Sequence, residues 1–313
     1  MKIIRIGTRE SQLAVWQAMH AKEQLTRVGY EAELVLIKSE GDIDVTTPLY
    51  EMGVQGIFTR SLDMALLNKK IDVAVHSMKD VPTQLATGIT QAAVLPRASY
   101  KDILVYNGER QAIKDMLAFP VPDTAQPFTV ATSSIRRKAQ WLYRYPHHRV
   151  EVLRGNVNTR LIKVNESDWN GGIFAAAGLE RIDRRPENSL ELAWMLPAPA
   201  QGAIMLVCRE EDDLCKQACS KLNDADTEIC TKFERDFLRE LLGGCSTPIS
   251  ALAEIKDDKV LFRGNILSPD GKEKADIEII FDLDSTMNDH GIQAARQLLK
   301  SGGDKIVEGI KHA

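Results

Sequence analysis

Apolar and polar positions follow two periods along the chain, and the switches between them mark out its elements. Ile3 to Ile6 reads as a short strand. From Gln12 to Arg27 the apolar residues recur at three- and four-residue spacing, an amphipathic helix closed by Gly29. Glu31 to Lys38 predicts a strand and Phe58 to Leu67 a helix. Ile71-Asp72-Val73-Ala74-Val75 is a near-continuous apolar strand, the kind buried inside a parallel sheet. A second strand–helix series begins after Arg97 to Asp102. Its strands are Ile103 to Tyr106, Phe128 to Ala131, Val150 to Leu153 and Ile173 to Ala177, with a helix from Gln111 to Ala118 and others after the later strands. Ala203 to Cys208 is again a buried-type strand. From about Ser220 the pattern changes to a long helix (Asp226 to Leu242), three strands (249–255, 259–264, 275–281) and a final helix (288–301), with Asp270-Gly271 as a hairpin turn. Repeated strand–helix–strand order predicts an α/β fold with crossover helices, followed by a smaller α+β unit.

The strand ends carry the candidate chemistry. His76-Ser77-Met78-Lys79-Asp80-Val81-Pro82 leaves the carboxyl end of a buried strand, where ligands bind in open α/β sheets. Thr132-Ser133-Ser134 opens a helix with Arg136 and Arg137 one turn in. Arg154-Gly155-Asn156 opens the next, with Arg160, and Gly178 to Arg181 follows the third strand. Helix starts offer free N–H groups and a positive dipole end, and arginines add forked donors. One basic helix start is commonplace. Three at equivalent places in one sheet predict a polyanionic ligand in a cleft. Ser39 to Gln55 shows no periodicity, and a loop of that length in a compact domain is usually functional or mobile. It is the candidate lid, with Gly41, Asp42 and Phe58. Crossing segments near 98 and near 198, the latter in Leu196-Pro197-Ala198-Pro199-Ala200-Gln201-Gly202, suit a two-domain clamp whose returning strand completes the first sheet.

Composition narrows the reading. A chain of 313 residues implies two or three domains. A net charge of -4 weighs against a general nucleic-acid binder, although basic residues concentrate locally. No apolar run is long enough to span a bilayer, and the N-terminus shows a strand pattern and no signal peptide, so a cytoplasmic protein is expected. Five cysteines with no Cys-x-x-Cys pair, and histidines with no His-x-x-x-His, point to neither a disulfide framework nor a metal site. Cys215 and Cys219, one helical turn apart, read as structural. Cys245 follows Gly243-Gly244 on a turn between the long helix and a strand, with Pro248 preventing any helix from restarting. The local pattern leaves it open whether this thiol is packed or presented.

Taken together, these segments resemble the porphobilinogen deaminase (hydroxymethylbilane synthase) family over essentially the whole length. The marks are Ile6-Gly7-Thr8-Arg9-Glu10-Ser11-Gln12-Leu13-Ala14, Val75 to Pro82, Thr132 to Arg137, Leu153 to Val157, Ala200-Gln201-Gly202-Ala203 and Gly243-Gly244-Cys245. The resemblance implies two domains like the type II periplasmic-binding-protein clamp plus a third α+β domain. We expect the first from 1–98 with 198–219, the second from 99–197 and the third from 220–313. It implies a transferase that condenses porphobilinogen units into the linear tetrapyrrole hydroxymethylbilane with loss of ammonia, in porphyrin and heme biosynthesis. A dipyrromethane cofactor would be held by a thioether to Cys245, and Asp80 would be the catalytic carboxylate. By the same resemblance, the carboxylates of cofactor and substrate would be bound at Arg9, Ser11, Lys79, Thr132, Ser133, Ser134, Arg136, Arg137, Arg154, Gly155, Asn156, Arg160, Arg181 and Gln201. The expected enzyme is a cytoplasmic monomer with no metal and with neither nucleic acid nor membrane as partner. The chain departs from the family pattern at Gln55 and Arg60-Ser61, where lysine and Lys-Glu are usual, and at Leu242, where glutamate is common. A non-catalytic anion-binding clamp and a nucleic-acid groove are the alternatives. The Gly-Gly-Cys third domain argues against the first, and the scarcity of aromatics beside the arginines against the second.

Overall fold

A computed structural model describes residues 2–38, 59–118, 128–241, 247–283 and 289–311. Its strands form three sheets. The first contains β1 (Ile4–Thr8), β2 (Ala32–Leu36), β3 (Val73–Ser77), β4 (Ile89–Leu95) and, returning from far along the chain, β10 (Ile204–Arg209), in the order β2-β1-β3-β10-β4. β1 runs parallel to β2 and β3, whereas β10 lies antiparallel between β3 and β4. The returning strand thus completes the sheet from inside it, which explains why all six of its residues are buried. β4 has no counterpart in the sequence reading, because its Thr90-Gln91-Ala92-Ala93 centre is too weakly apolar to signal a strand.

The second sheet repeats the plan. β5 (Asp102–Tyr106), β6 (Thr129–Ala131), β7 (Arg149–Glu151), β8 (Gly171–Ala175) and β9 (Ser189–Glu191) lie in the order β7-β6-β8-β5-β9. β6 is parallel to β7 and β8, and β5 is antiparallel to β8 and β9. In each sheet the fourth strand is therefore the one entered from a crossing segment, the plan that the resemblance implies. The third sheet is the antiparallel meander β11 (Ile249–Lys256), β12 (Lys259–Leu267) and β13 (Lys274–Asp282).

Helices cover the sheets. α1 (Gln12–Arg27), α2 (Arg60–Leu67) and α7 (Asp213–Ser220) pack on the first. α1 has the predicted limits because Ser11 caps its start and Gly29, at φ 90°, takes the left-handed turn after its end. α3 (Arg110–Met116), α4 (Ile135–Arg144), α5 (Val157–Glu166) and α6 (Ala176–Glu180) belong to the second sheet. The strand expected to reach Ala177 stops at Ala175, where α6 begins. On the third sheet lie α8 (Ala225–Glu240), α9 (His290–Leu298) and α10 (Asp304–Lys311). α8 ends at Glu240, ahead of the glycines expected to stop it. The final helix expected over 288–301 is α9, and a further helix, α10, follows a wide turn in which Gly302 adopts φ 101°.

Candidate functional site

The loop after β3 is anchored at both ends. Met78 and Val81 are buried in the core of the first sheet. Lys79 and Asp80, between those anchors in a single helical turn at Met78–Asp80, are left half-buried. The Met78 amide donates to the Ala203 carbonyl at 3.0 Å, and the Ser77 hydroxyl pairs with Gln17 of α1 at 2.8 Å. Arg235 of α8 donates to the carbonyls of Met78 (3.3 Å), Val81 (2.9 Å) and Pro82 (2.6 Å). The helix leading toward Cys245 is thereby fastened to the loop holding Asp80. Asp80 shares a small cavity with Arg9, Gln17, Thr59, His76 and Ser77. Burial, with Arg9 adding to it, pushes the His76 imidazole down to about 3, so it is neutral at physiological pH.

The basic helix starts lie close to this loop. β7, β6 and β8 are adjacent and parallel, so their carboxyl ends share one edge. Arg160 is brought down to about 10, first by burial and then by Arg137 and Arg154, with Asp80 opposing. Arg137 on α4, Arg160 on α5 and Asp80 are thus near enough to act on one another. Lys79 is brought down to about 8, again first by burial; Asp80 and Asp102 oppose the shift, and Arg137 and Arg136 reinforce it.

The arginine pair on α4 also has an internal partner. Arg136 and Arg137 are buried and already grip an internal carboxylate. Asp102, fully buried at the start of β5, accepts from Arg136 Nη2 (2.7 Å), Arg137 Nε (3.1 Å), Arg137 Nη2 (2.7 Å) and Gln201 Nε2 (2.9 Å). Burial opposes its charge, but the two guanidiniums and Lys79 outweigh that and hold its carboxyl below the usual range. Gln201 also accepts from Lys79 Nζ at 3.3 Å. Arg154 is buried, while Arg9, Arg160 and Arg181 are half-buried. Arg181 sits at the C-terminal end of α6 and not at a helix start. It donates to the Gly202 carbonyl at 2.6 Å and lies over the Trp16 ring.

The small polar residues act locally as caps and ties. Ser11, Ser134 and Asn156 cap α1, α4 and α5 by accepting from the amides of Ala14, Arg137 and Thr159. Thr132 accepts from the Ser134 amide, and Ser133 donates to the Leu153 carbonyl at 2.8 Å. Gly155 has φ 111°, and a Cβ there would come within 2.9 Å of the Thr159 side chain, which is why glycine occupies that helix entrance. Cys245 and the lid candidates Gly41, Asp42 and Phe58 lie outside the described residues. Cys208, Cys215, Cys219 and Cys230 are free and buried. Among the described residues no cluster of His, Cys, Asp or Glu could hold a metal ion, and no helix is long and apolar enough to cross a membrane.

The sequence reading passed over Asp102, Glu234 and Arg235. The available signal was a charged residue inside an apolar run, as in Asp102 before Ile103-Leu104-Val105 and Glu234 beside Phe233 and Phe237. A charge in such a place needs a partner. Chemically, the site is a half-buried carboxylate near cations from two sheets. It can seat a ligand with several carboxylates and stabilise positive charge arising beside Asp80.

Two family models match the chain: "Porphobilinogen deaminase, dipyromethane cofactor binding domain" over residues 4–217 and "Porphobilinogen deaminase, C-terminal domain" over residues 228–300. Among curated relatives, porphobilinogen deaminase of Acidithiobacillus ferrooxidans is 38% identical over 315 residues, covering 99% of both chains. The chloroplastic porphobilinogen deaminase of Oryza sativa subsp. japonica is 40% identical over 280 residues, covering 87% of this chain and 76% of the relative. Looser likenesses among solved structures include the periplasmic VFT2 domain of Bordetella pertussis BvgS, with TM-score 0.42 and 13% identity over 72% of this chain and 89% of that one.

Proposed function

The chain belongs to the porphobilinogen deaminase family, and we propose that Asp80 and the cations around it carry out that family's reaction here. The reaction condenses porphobilinogen into the linear tetrapyrrole hydroxymethylbilane with release of ammonia, on a dipyrromethane cofactor. The observation that carries the assignment is the convergence of Asp80 with Lys79, Arg137, Arg154 and Arg160 from two separate sheets. Each pyrrole of substrate and cofactor bears an acetate and a propionate, so a growing chain is a polyanion that needs such an array.

The cationic array fits the carboxylates of a dipyrromethane. Arg9, Arg136, Arg137, Arg154, Arg160, Arg181 and Lys79 would hold those carboxylates, with Cys245 as the thioether anchor. Ser11, Thr132, Ser133, Ser134, Gly155 and Asn156 shape the helix entrances that face it, and Gln201 orients Lys79. When bound, the cofactor supplies the nucleophilic pyrrole carbon to which the first substrate is joined. Loss of ammonia leaves the substrate cationic, and coupling places positive charge on pyrrole nitrogens. The Asp80 carboxylate stabilises that charge as it grows, and it can move a proton to the departing amine and from the coupled ring carbon. Anchoring both partners beside one carboxylate raises their effective concentration.

Our domain division is 1–98 with 198–219, 99–197 and 220–313. In its support, each sheet has apolar clusters of its own, and the two family models change over between residues 217 and 228. The lid role of Gly41, Asp42 and Phe58 rests on the length of their loop. We take the enzyme to act in the cytoplasm as a monomer, without nucleic acid.

Intact mass tests the assignment. The purified protein is expected to weigh more than its sequence by one dipyrromethane, and Cys245→Ala to lack that increment. Adding porphobilinogen should produce further increments on the parent alone. A parent that stays bare with porphobilinogen present would sink the assignment.

A further inference from the structure

Asp102 is buried and engages more cationic donors than a structural ion pair requires. A lone buried guanidinium needs one carboxylate, whereas here two guanidiniums share one, with an ammonium one hydrogen bond further out. Each fork is also held by the backbone: Arg136 Nη1 reaches the Leu196 carbonyl at 2.7 Å and Arg137 Nη1 the Ile173 carbonyl at 2.9 Å. Gln201 Nε2 also donates to the Tyr100 carbonyl at 2.7 Å, so this side chain bridges the two crossing segments. Arg136 Nε, in contrast, is buried and has no acceptor. A buried unfilled donor is costly unless a ligand meets it. The cluster also contains more cations than carboxylates, with Arg137, Arg154, Arg160 and Lys79 acting on one another around Asp80 and Asp102.

We propose that Asp102 is a positioning residue for the reaction: it aligns the two α4 forks and, through Gln201, the Lys79 ammonium, so that substrate carboxylates meet a preset array. This rests on the reading of Asp80 and its cations given above and adds to it a residue that touches no substrate. Asp102 lets the excess positive charge stay buried before substrate arrives, yet it is too few charges to satisfy it. The site is therefore both stable when empty and primed for an anion. The groups facing Lys79 are Asp80 and Gln201 from the loops and Asp102, Arg136 and Arg137 from the second sheet. Of these, Asp80 and Asp102 favour the ammonium, and burial and both arginines oppose it. Below pH about 8 Lys79 is charged, and above it the charge is lost. Removing the Asp102 charge takes away part of what holds the proton, so the loss moves to lower pH.

The experiment compares the loaded parent enzyme with Asp102→Asn and Gln201→Leu, measuring kcat and KM for porphobilinogen across pH 6 to 9.5, with thermal unfolding alongside. Asp102→Asn should raise KM at least tenfold, with a smaller change in kcat, and shift the alkaline fall of kcat/KM below its parental position. Gln201→Leu should shift that fall in the same direction while leaving the arginine pair in place. An active parent whose alkaline fall is unmoved in both variants overturns this inference alone, even if activity drops in step with stability. Should Asp102→Asn fail to fold, Gln201→Leu decides by the same criterion. A parent that does not consume porphobilinogen at all would overturn the reading of the site and this inference with it.

Discussion

Replacing Glu234 with alanine should cost about 5 kcal/mol of stability, although the residue lies in no site. Glu234 is fully buried on α8. Its carboxylate accepts from Arg97 Nη1 at 2.6 Å and Nη2 at 3.1 Å, from the Ala200 amide at 2.6 Å and from the Ala253 amide at 2.8 Å. It therefore joins the first crossing segment, the second, α8 and β11. Breaking a buried pair from one side costs about 3–5 kcal/mol, because the other charge stays buried without a partner. The two amides left without an acceptor add about 1–3 kcal/mol each, less whatever water can satisfy in the vacated space. A loss near 5 kcal/mol is thus a conservative figure. At about 2–4 °C per kcal/mol, the melting temperature should fall by about 10–20 °C. The control is Glu191→Ala. Glu191 pairs with Lys101 at 2.5 Å, but both side chains are about two-fifths exposed, and such a pair contributes at most about 1 kcal/mol. Urea titration and differential scanning calorimetry on both variants provide the comparison. If Glu234→Ala melts within about 3 °C of the parent, or no lower than Glu191→Ala, the buried Glu234 joint does not hold the three segments together.

Asp80→Ala should lower porphobilinogen turnover by a factor on the order of 10²–10³ while shifting the melting temperature by no more than about 3 °C, since the removed group is half-buried. A variant within a few-fold of parental turnover would take Asp80 out of the mechanism. At the other end of the first sheet, burial opposes the Asp72 charge, but hydrogen bonds from Arg5, Lys2 and Arg209 overcome it and hold the carboxyl below its usual range. A depressed carboxylate contributes stability that is full above its unfolded value of about 3.9 and is lost as pH falls through the folded one. The parent should therefore lose stability steadily below pH about 4, and Asp72→Asn should be less stable at pH 7 with a flatter acid limb. An acid limb of equal steepness in both proteins would contradict the assignment.

Local pattern carried much of the fold because much of it is locally determined. α1 is legible to the residue: its cap, its apolar stripe and its terminal glycine all lie within one window. The arginines at the ends of β6 and β7 are legible for the same reason, since strand, cap and basic turn are consecutive. What escaped was whatever depends on a distant partner. β4 is a strand because β10 pairs with it from more than a hundred residues away, and its own Ala92-Ala93 centre gives little signal. α8 ends at Glu240, two residues short of the expected Leu242. Arg136 and Arg137 were legible as a basic helix start, but not their grip on an internal carboxylate, because Asp102 lies 34 and 35 residues earlier.

Three fully buried carboxylates share a design, and their positions explain why it is used. Among the described residues each buried apolar cluster draws on one sheet, and the buried carboxylates add directional ties. Asp72 gathers Arg5, Lys2 and Arg209 and closes the sheet that the chain leaves and later re-enters. Asp102 gathers Arg136, Arg137 and Gln201 where the chain enters the second sheet. Glu234 gathers Arg97 and two amides where the third sheet meets both crossings. Apolar contacts would tolerate sliding, because burial is non-directional, whereas a forked guanidinium on a carboxylate fixes both distance and angle. A reaction that must bring cations on one sheet against a carboxylate on another depends on that angular precision. The desolvation cost of each buried carboxylate is offset by the several donors it gathers.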